Sequence, residues 1–353
     1  MIRNVLKPTG RTLAIRRLVA APFLLAILPG PAASQEPIRV SIEEWTVPWS
    51  DSRPRDPFVA SDGRVWFVGQ TGDYVASLNP ETGDFDRHDL PEGTGPHNLI
   101  VAESGTVFVA GNRTAEIQVL DPGAADVRRI PMPDAAARDP HTLVFAPDSS
   151  IWFTVQNGNR IGHFRPGEPT GDSIRLATVP TANSRPYGIV VDPSGRPWFT
   201  EFAAGKIGTV DPSTMELHEF ELPRSDARPR RLQRTSDGAI WYVDFAGGML
   251  GRLNVGDGSV REWPVPGGSE ARPYGMAVDR SDRLWFVETG LSPNRFVGFD
   301  PSKEEFFSIT PIPSGAGSVR HMFYDPSGEQ IWFGTDAGTI GRARLEAPGA
   351  DGT

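Results

Sequence analysis

Cysteine is absent from the 353 residues, which excludes disulfides and thiolate metal sites. A chain of this length can bury enough apolar surface to fold without such staples. Negative charge is missing from the start: no Asp or Glu precedes Glu36, while Arg3, Lys7, Arg11, Arg16 and Arg17 all fall in that stretch. The apolar run from Leu18 to Leu28 is shorter than the ~20 residues that span a membrane. With Ala32-Ala33-Ser34 behind it, residues 1–34 read as a cleaved signal peptide. The expected destination is the periplasm or the cell exterior, with no stable membrane insertion after cleavage. Without those five basic residues the 35 Lys and Arg fall to 30 against 44 acids, a net of −14. Nucleic acid is excluded as a partner, because phosphate binding needs clustered cations. Helical periodicity is lacking as well, since no amphipathic stretch of about ten residues or more occurs.

What the chain has is a repeat. An aromatic pair recurs at Trp66-Phe67, Trp152-Phe153, Trp198-Phe199, Trp241-Tyr242, Trp285-Phe286 and Trp332-Phe333, with Val107-Phe108 filling the gap. The spacings are 41, 45, 46, 43, 44 and 47 residues, a period that marks propeller blades or solenoid units. Within a unit an apolar strand such as Tyr187 to Val191 precedes a turn such as Asp192-Pro193-Ser194-Gly195. The aromatic strand follows, then a third strand, a turn at Asp211-Pro212, and a fourth strand. Four short strands per repeat make a blade. The fold class is all-β: a seven-bladed β-propeller over residues 35–346, with 347–353 as a disordered tail. The seventh unit has only three strands. Residues 41–48, containing Trp45, match the fourth-strand segment around Trp263, so the mature N-terminus is expected to close the ring.

The residues opening each unit should line one mouth of the central channel. They are Asp56-Pro57-Phe58, Pro96-His97-Asn98, Asp139-Pro140-His141, Pro186-Tyr187-Gly188, Pro229-Arg230-Arg231, Pro273-Tyr274-Gly275 and Arg320-His321-Met322. A second polar layer follows the aromatic pairs: Gln70, Asn112, Gln156, Glu201, Asp244, Glu288 and Asp336. Turn residues stay constant between units while these positions vary, as a ligand site requires. His88, His163 and His218 lie on outer strands and are expected to be packed or solvated. The tryptophans of the pairs are expected to form core between blades.

The repeat RPYGIVVDPSGRPWFTEFAAGKIGTVDP (185–212) resembles that of the streptogramin B lyases, also called virginiamycin B lyases. The resemblance covers nearly all of the mature chain. It implies a carbon–oxygen lyase that opens an ester-linked, cyclic depsipeptide-type substrate by β-elimination, aided by a divalent metal, Mg2+. On that resemblance, with the blades rotated by pseudo-sevenfold symmetry, His141 is the general base and Asp139 a metal ligand. His97 and Tyr187 bind substrate. Gln156 stands where a second carboxylate belongs, and Glu201 in the next blade could compensate. With the blades taken in chain order, His321 falls at the base position, Val319 replaces the carboxylate and Tyr274 replaces the first histidine. Arg230, Arg231 and Arg320 add cationic stabilisation or bind a substrate carboxylate.

Two other functions fit such a propeller. One is a gluconolactonase-type lactonase, with Glu201, Asn98 and Asp244 offering metal-ligand types. The other is a non-catalytic module that binds a ligand or protein at the channel mouth. The expected partner is a small molecule, a cyclic peptide or lactone, and the expected state is a monomer.

Overall fold

A computed structural model describes Met1 and residues 38–124, 126–168 and 173–346. The expected signal peptide and C-terminal tail lie outside the described residues. Seven four-stranded antiparallel sheets follow one another along the chain. Their first strands pack side by side around a closed ring, the seventh touching the first. The fold is the expected seven-bladed propeller. Among the described residues, no helix is long and apolar enough to cross a membrane.

The aromatic pairs explain how blades join. Neighbouring residues on a strand face opposite sides of the sheet, so each pair fills both clefts beside its blade. Phe153 packs with Phe108 and Phe164 of blades two and three, whereas Trp152 packs with Ile189 and Phe199 of blade four. Burying each such side chain contributes roughly 1.5–3 kcal/mol. The third strand leaves room for the ring by carrying glycine: a Cβ on Gly208 would lie 2.2 Å from Phe199, and one on Gly162 2.0 Å from Phe153. The pairing register places Phe108, not Val107, opposite Ile100, where Trp66 lies opposite Phe58. The pair of blade two is therefore Phe108-Val109, a correction of one residue. His163 stacks on Trp152 and His88 on Trp66, so both are packed, whereas His218 meets Phe220 edge-on and is exposed to solvent.

The ring closes through the first strand. Arg39–Thr46 pairs antiparallel with Thr339–Glu346 along its whole length, from Arg39↔Glu346 to Thr46↔Thr339. Trp45 stacks on Trp332 at 5.5 Å, and its sequence counterpart Trp263 stacks on Trp241 at 5.3 Å. The same packing recurs because the same strand position recurs. Glu44 fixes the seam by accepting from Thr339 Oγ1 (2.6 Å) and Ser314 N (2.8 Å).

One irregularity positions the channel mouth. In every blade the register between first and second strands slips within the first residues of the inner strand. Such bulges re-aim side chains. Ahead of the prolines at 54, 96, 140, 186 and 273, Arg53, Gly95, Asp139, Arg185 and Arg272 all take left-handed φ values of 43–70°. Four of these five are not glycine, and each such residue costs of order 1–3 kcal/mol. The strained entry bends the chain into the mouth.

Candidate active site at the channel mouth

Register fixes which residues share a layer. Pro54, Pro96, Pro140, Pro186, Pro229, Pro273 and Val319 each open an inner strand opposite the end of the second strand. The outer layer of the mouth is therefore Arg55, His97, His141, Tyr187, Arg230, Tyr274 and Arg320. The layer beneath is Asp56, Asn98, Thr142, Gly188, Arg231, Gly275 and His321. Three expectations shift. Blade one opens at Pro54-Arg55-Asp56 rather than Asp56-Pro57-Phe58. Arg320, not His321, is the counterpart of His141. Arg231 belongs to the deeper layer. Arg55 was missed because 53–57 reads Arg-Pro-Arg-Asp-Pro, offering two prolines of which the second resembles Asp139-Pro140. The signal that finds it is the Pro-X pair shared with Pro96-His97.

Three expected residues meet. The rings of His97 and His141 lie 3.6 Å apart, and those of His141 and Tyr187 lie 4.2 Å apart. His97 Nδ1–H donates to the His141 carbonyl at 3.1 Å. A carbonyl only accepts, so the proton of neutral His97 sits on Nδ1 and its Nε2 carries the lone pair. His141 Nδ1 meets Thr142 Oγ1 at 2.9 Å, and its Nε2 is buried without a partner. His141 is 1% exposed. Burial and then Arg231 and Arg55 hold its pKa well below the usual range; burial, Arg55 and His141 do the same for His97. Both imidazoles are neutral at pH 7.

Tyr187 completes the cluster. Its hydroxyl hydrogen-bonds to the Tyr274 hydroxyl. Arg230 Nη1 donates to Tyr274 Oη at 2.9 Å and to Tyr187 Oη at 3.4 Å. The Arg230 guanidinium lies over the rings of Phe202 (4.3 Å), Phe245 (4.2 Å) and Tyr274 (4.5 Å). Burial pushes the Tyr187 phenol up, but Arg230, Arg55 and Arg231 outweigh it and lower its pKa. Burial and Tyr187 itself push Tyr274 up. Phe202 and Phe245 follow Glu201 and Asp244 in matching repeats, which is the sequence signal that was overlooked.

Beneath them a buried ionic layer crosses the channel. Arg231, 3% exposed, donates to the Arg320 carbonyl (2.9 Å), Thr142 Oγ1 (3.1 Å) and Asp56 Oδ2 (3.3 Å). Asp56 also accepts from Arg55 Nε at 3.0 Å and Asn98 Nδ2 at 3.1 Å. Burial alone would raise the Asp56 pKa, but Arg55 and Arg231 hold it well below the carboxylate range. His321, in this layer, lines a cavity of about 420 Å³ together with Asn98, Thr142, Phe58 and Phe323. Burial and then Arg231 push its pKa down to about 3.

The expected metal ligands do not converge. Asp139 accepts from Asn157 N (2.8 Å), Asn157 Nδ2 (2.7 Å) and Gly158 N (3.3 Å), so its carboxylate ties down a turn in its own blade. Burial nevertheless pushes its carboxyl up to about 6. Val155, not Gln156, is the counterpart of Glu201, because Val155 faces Pro140 as Glu201 faces Pro186. Glu201 is fully buried with neither oxygen hydrogen-bonded, and burial and then Glu219 push it up to about 7. No three His, Asp or Glu side chains among the described residues are grouped to hold a metal ion. A divalent cation held by Asp139, Gln156 and Glu201 does not fit this arrangement. The lactonase set fares likewise: Asn98 binds Asp56 and Leu143 N, and Asp244 binds Arg224 and Arg228 N. Arg320 is paired with both oxygens of Asp336.

Comparison with known proteins agrees with the fold. The Virginiamycin B lyase family pattern matches residues 112–347. The virginiamycin B lyase of Staphylococcus aureus superposes with a TM-score of 0.78 at 25% identity, covering 87% of this chain and 100% of that one. A catalytically inactive variant of it, solved with quinupristin, gives the same values. A curated virginiamycin B lyase of Nocardia farcinica is 33% identical over 72 residues, which is 20% of this chain and 24% of that protein. The matched segment thus spans about a quarter of that relative's length. By the extent of the family match and the seven-bladed ring together, the chain belongs to the virginiamycin B lyase family.

Proposed function

We propose that the protein is an exported carbon–oxygen lyase, acting on an ester-linked substrate of the cyclic depsipeptide type by β-elimination. The observation that carries this reading is His141 Nε2, buried and unpartnered between His97 and Tyr187. In the tautomer whose Nδ1–H donates to Thr142 Oγ1, Nε2 holds a lone pair for a substrate proton. Its depressed pKa makes the base form the resting form. In the elimination His141 takes the proton α to a carbonyl, the freed pair forms the Cα=Cβ bond, and the Cβ–O bond breaks to release a carboxylate. No water is consumed. Tyr187 and Tyr274 offer hydroxyls to the carbonyl whose α-carbon loses the proton.

Quinupristin, present in the S. aureus structure, is the first substrate to try. Elimination opens the ring without changing the mass, whereas hydrolysis adds one water, so mass spectrometry with fragmentation separates the two. His141→Ala should lose about 10²–10⁴-fold in turnover with the fold intact by circular dichroism. His321→Ala, one layer below the ring that carries His141, should change turnover little. Ring opening that gains a water, or turnover that survives in His141→Ala, defeats this reading.

A further inference from the structure

The mouth holds more positive charge than its own acids neutralise. Arg55 and Arg231 share one carboxylate, Asp56. Arg320 is matched by Asp336. Arg230 has only tyrosine hydroxyls and aromatic faces. Four guanidiniums therefore face two carboxylates, with both histidines neutral, in a protein whose formal net charge is −9. Two donors are also unspent. Arg55 Nη2 and Arg230 Nε are buried without partners, and Arg55 itself is 4% exposed. An unpaired buried donor on a charged group is destabilising, and a carboxylate is the acceptor that best matches guanidinium.

We propose that this mouth is a carboxylate-binding site in which Arg55 and Arg230 receive the carboxylate freed by elimination, so that guanidinium takes the electrophilic part without a divalent metal. The inference rests on the lyase reading for the origin of the carboxylate, but the anion site itself stands on geometry alone. Charge develops on the leaving oxygen as the Cβ–O bond lengthens, and fixed cations already in place stabilise it without reorganisation. Arg230 adjoins the His141–Tyr187 cluster directly, donating to Tyr187 Oη at 3.4 Å and Tyr274 Oη at 2.9 Å, and Arg55 stands in the same layer of the mouth.

Binding of phenylacetate, an aryl carboxylate, tests this on the mature protein by calorimetry and thermal shift, with its uncharged methyl ester as control. Phenylacetate should bind one to one, and the ester at least about tenfold more weakly. Arg230→Gln should weaken phenylacetate by about tenfold or more. Arg55→Lys keeps the charge beside Asp56, so the fold should hold while the forked donor is lost and affinity falls. Arg261→Gln, which removes an exposed pair with Glu304, should change nothing. Millimolar Mg2+ should leave affinity and melting temperature unaltered. Equal binding of acid and ester, unchanged affinity in both mouth variants, or a requirement for Mg2+ overturns the proposal. Because no turnover is needed, carboxylate binding without quinupristin opening would defeat only the lyase reading, and opening without carboxylate binding would defeat only this one.

Discussion

The ionic layer makes an asymmetric prediction about two residues that touch each other. Arg55, Arg231 and Asp56 are all nearly fully buried, and the two guanidiniums share that single carboxylate. Removing Asp56 leaves two buried cations with no counter-charge. Removing Arg231 leaves a balanced Arg55–Asp56 pair. Arg231→Met loses three hydrogen bonds, worth about 1 kcal/mol each net, part of which its apolar replacement recovers by packing. A cost of ~1–3 kcal/mol follows. Asp56→Asn should cost ~3–5 kcal/mol, the range for breaking a buried pair and stranding its charge. In the double variant one of the two stranded cations is gone, so the costs should sum to ~1–2 kcal/mol less than additivity requires. Urea unfolding at pH 7, followed by tryptophan fluorescence, gives all three values. Arg231→Met costing more than Asp56→Asn, or strict additivity, would refute the charge accounting on which the anion site is built.

Three further outcomes are expected. Trp45→Ala should cost ~2 kcal/mol, short of a fully buried Trp because Trp45 is only half-buried, and deleting the strand Arg39–Thr46 should lower the melting temperature of the whole domain; an unchanged melting curve would contradict closure. Gly208→Ala should cost about 1–3 kcal/mol by overpacking Phe199, and pairing it with Phe199→Leu should restore part of the loss in the same urea titration. His163, 3% exposed, has its pKa pushed down to about 4, by burial first and Arg165 next. Below pH 6.5 the unfolded chain gains a proton there that the folded one refuses until pH ~4, so stability falls as pH drops through that window. His163→Phe should remove ~2 kcal/mol of the stability difference between pH 7 and pH 5, and an unaltered pH profile would show that folding does not shift the His163 pKa.

Blade number, strand count and ring closure were legible because each is written locally and repeatedly. Trp45 announces its place by matching Trp263, and both stack on the tryptophan of the second strand. His97, His141 and Tyr187 were legible because each follows a proline that opens an inner strand. Layer assignment on the inner strand was not, since the bulge shifts register by amounts the sequence does not display, and His321 moved by one residue for this reason. Gln156 moved because it stands four residues after Trp152 whereas Glu201 stands three after Trp198, a difference the sequence does show. The ionic layer was beyond reach altogether. Arg231 finds Asp56 across 175 residues of sequence, and no local pattern encodes which of several arginines crosses a channel. Asp139 was found in its motif, yet its left-handed backbone accompanies a carboxylate turned to a neighbouring turn.

Closure by the two ends of the chain also has a consequence for synthesis. The strand made first waits for the strand made last, with nearly all of the domain between them; Glu44 and Thr339, which bond across the seam, are 295 residues apart. Joining ends so distant costs ~5 kcal/mol in loop entropy if the intervening chain is unfolded, and little once six blades have stacked and brought the seam together. A nascent chain interrupted anywhere before Thr339 exposes two unpaired strand edges, which are sites for aggregation or proteolysis. The last blade is therefore complete only when both Arg39–Thr46 and Thr339–Glu346 are present to pair.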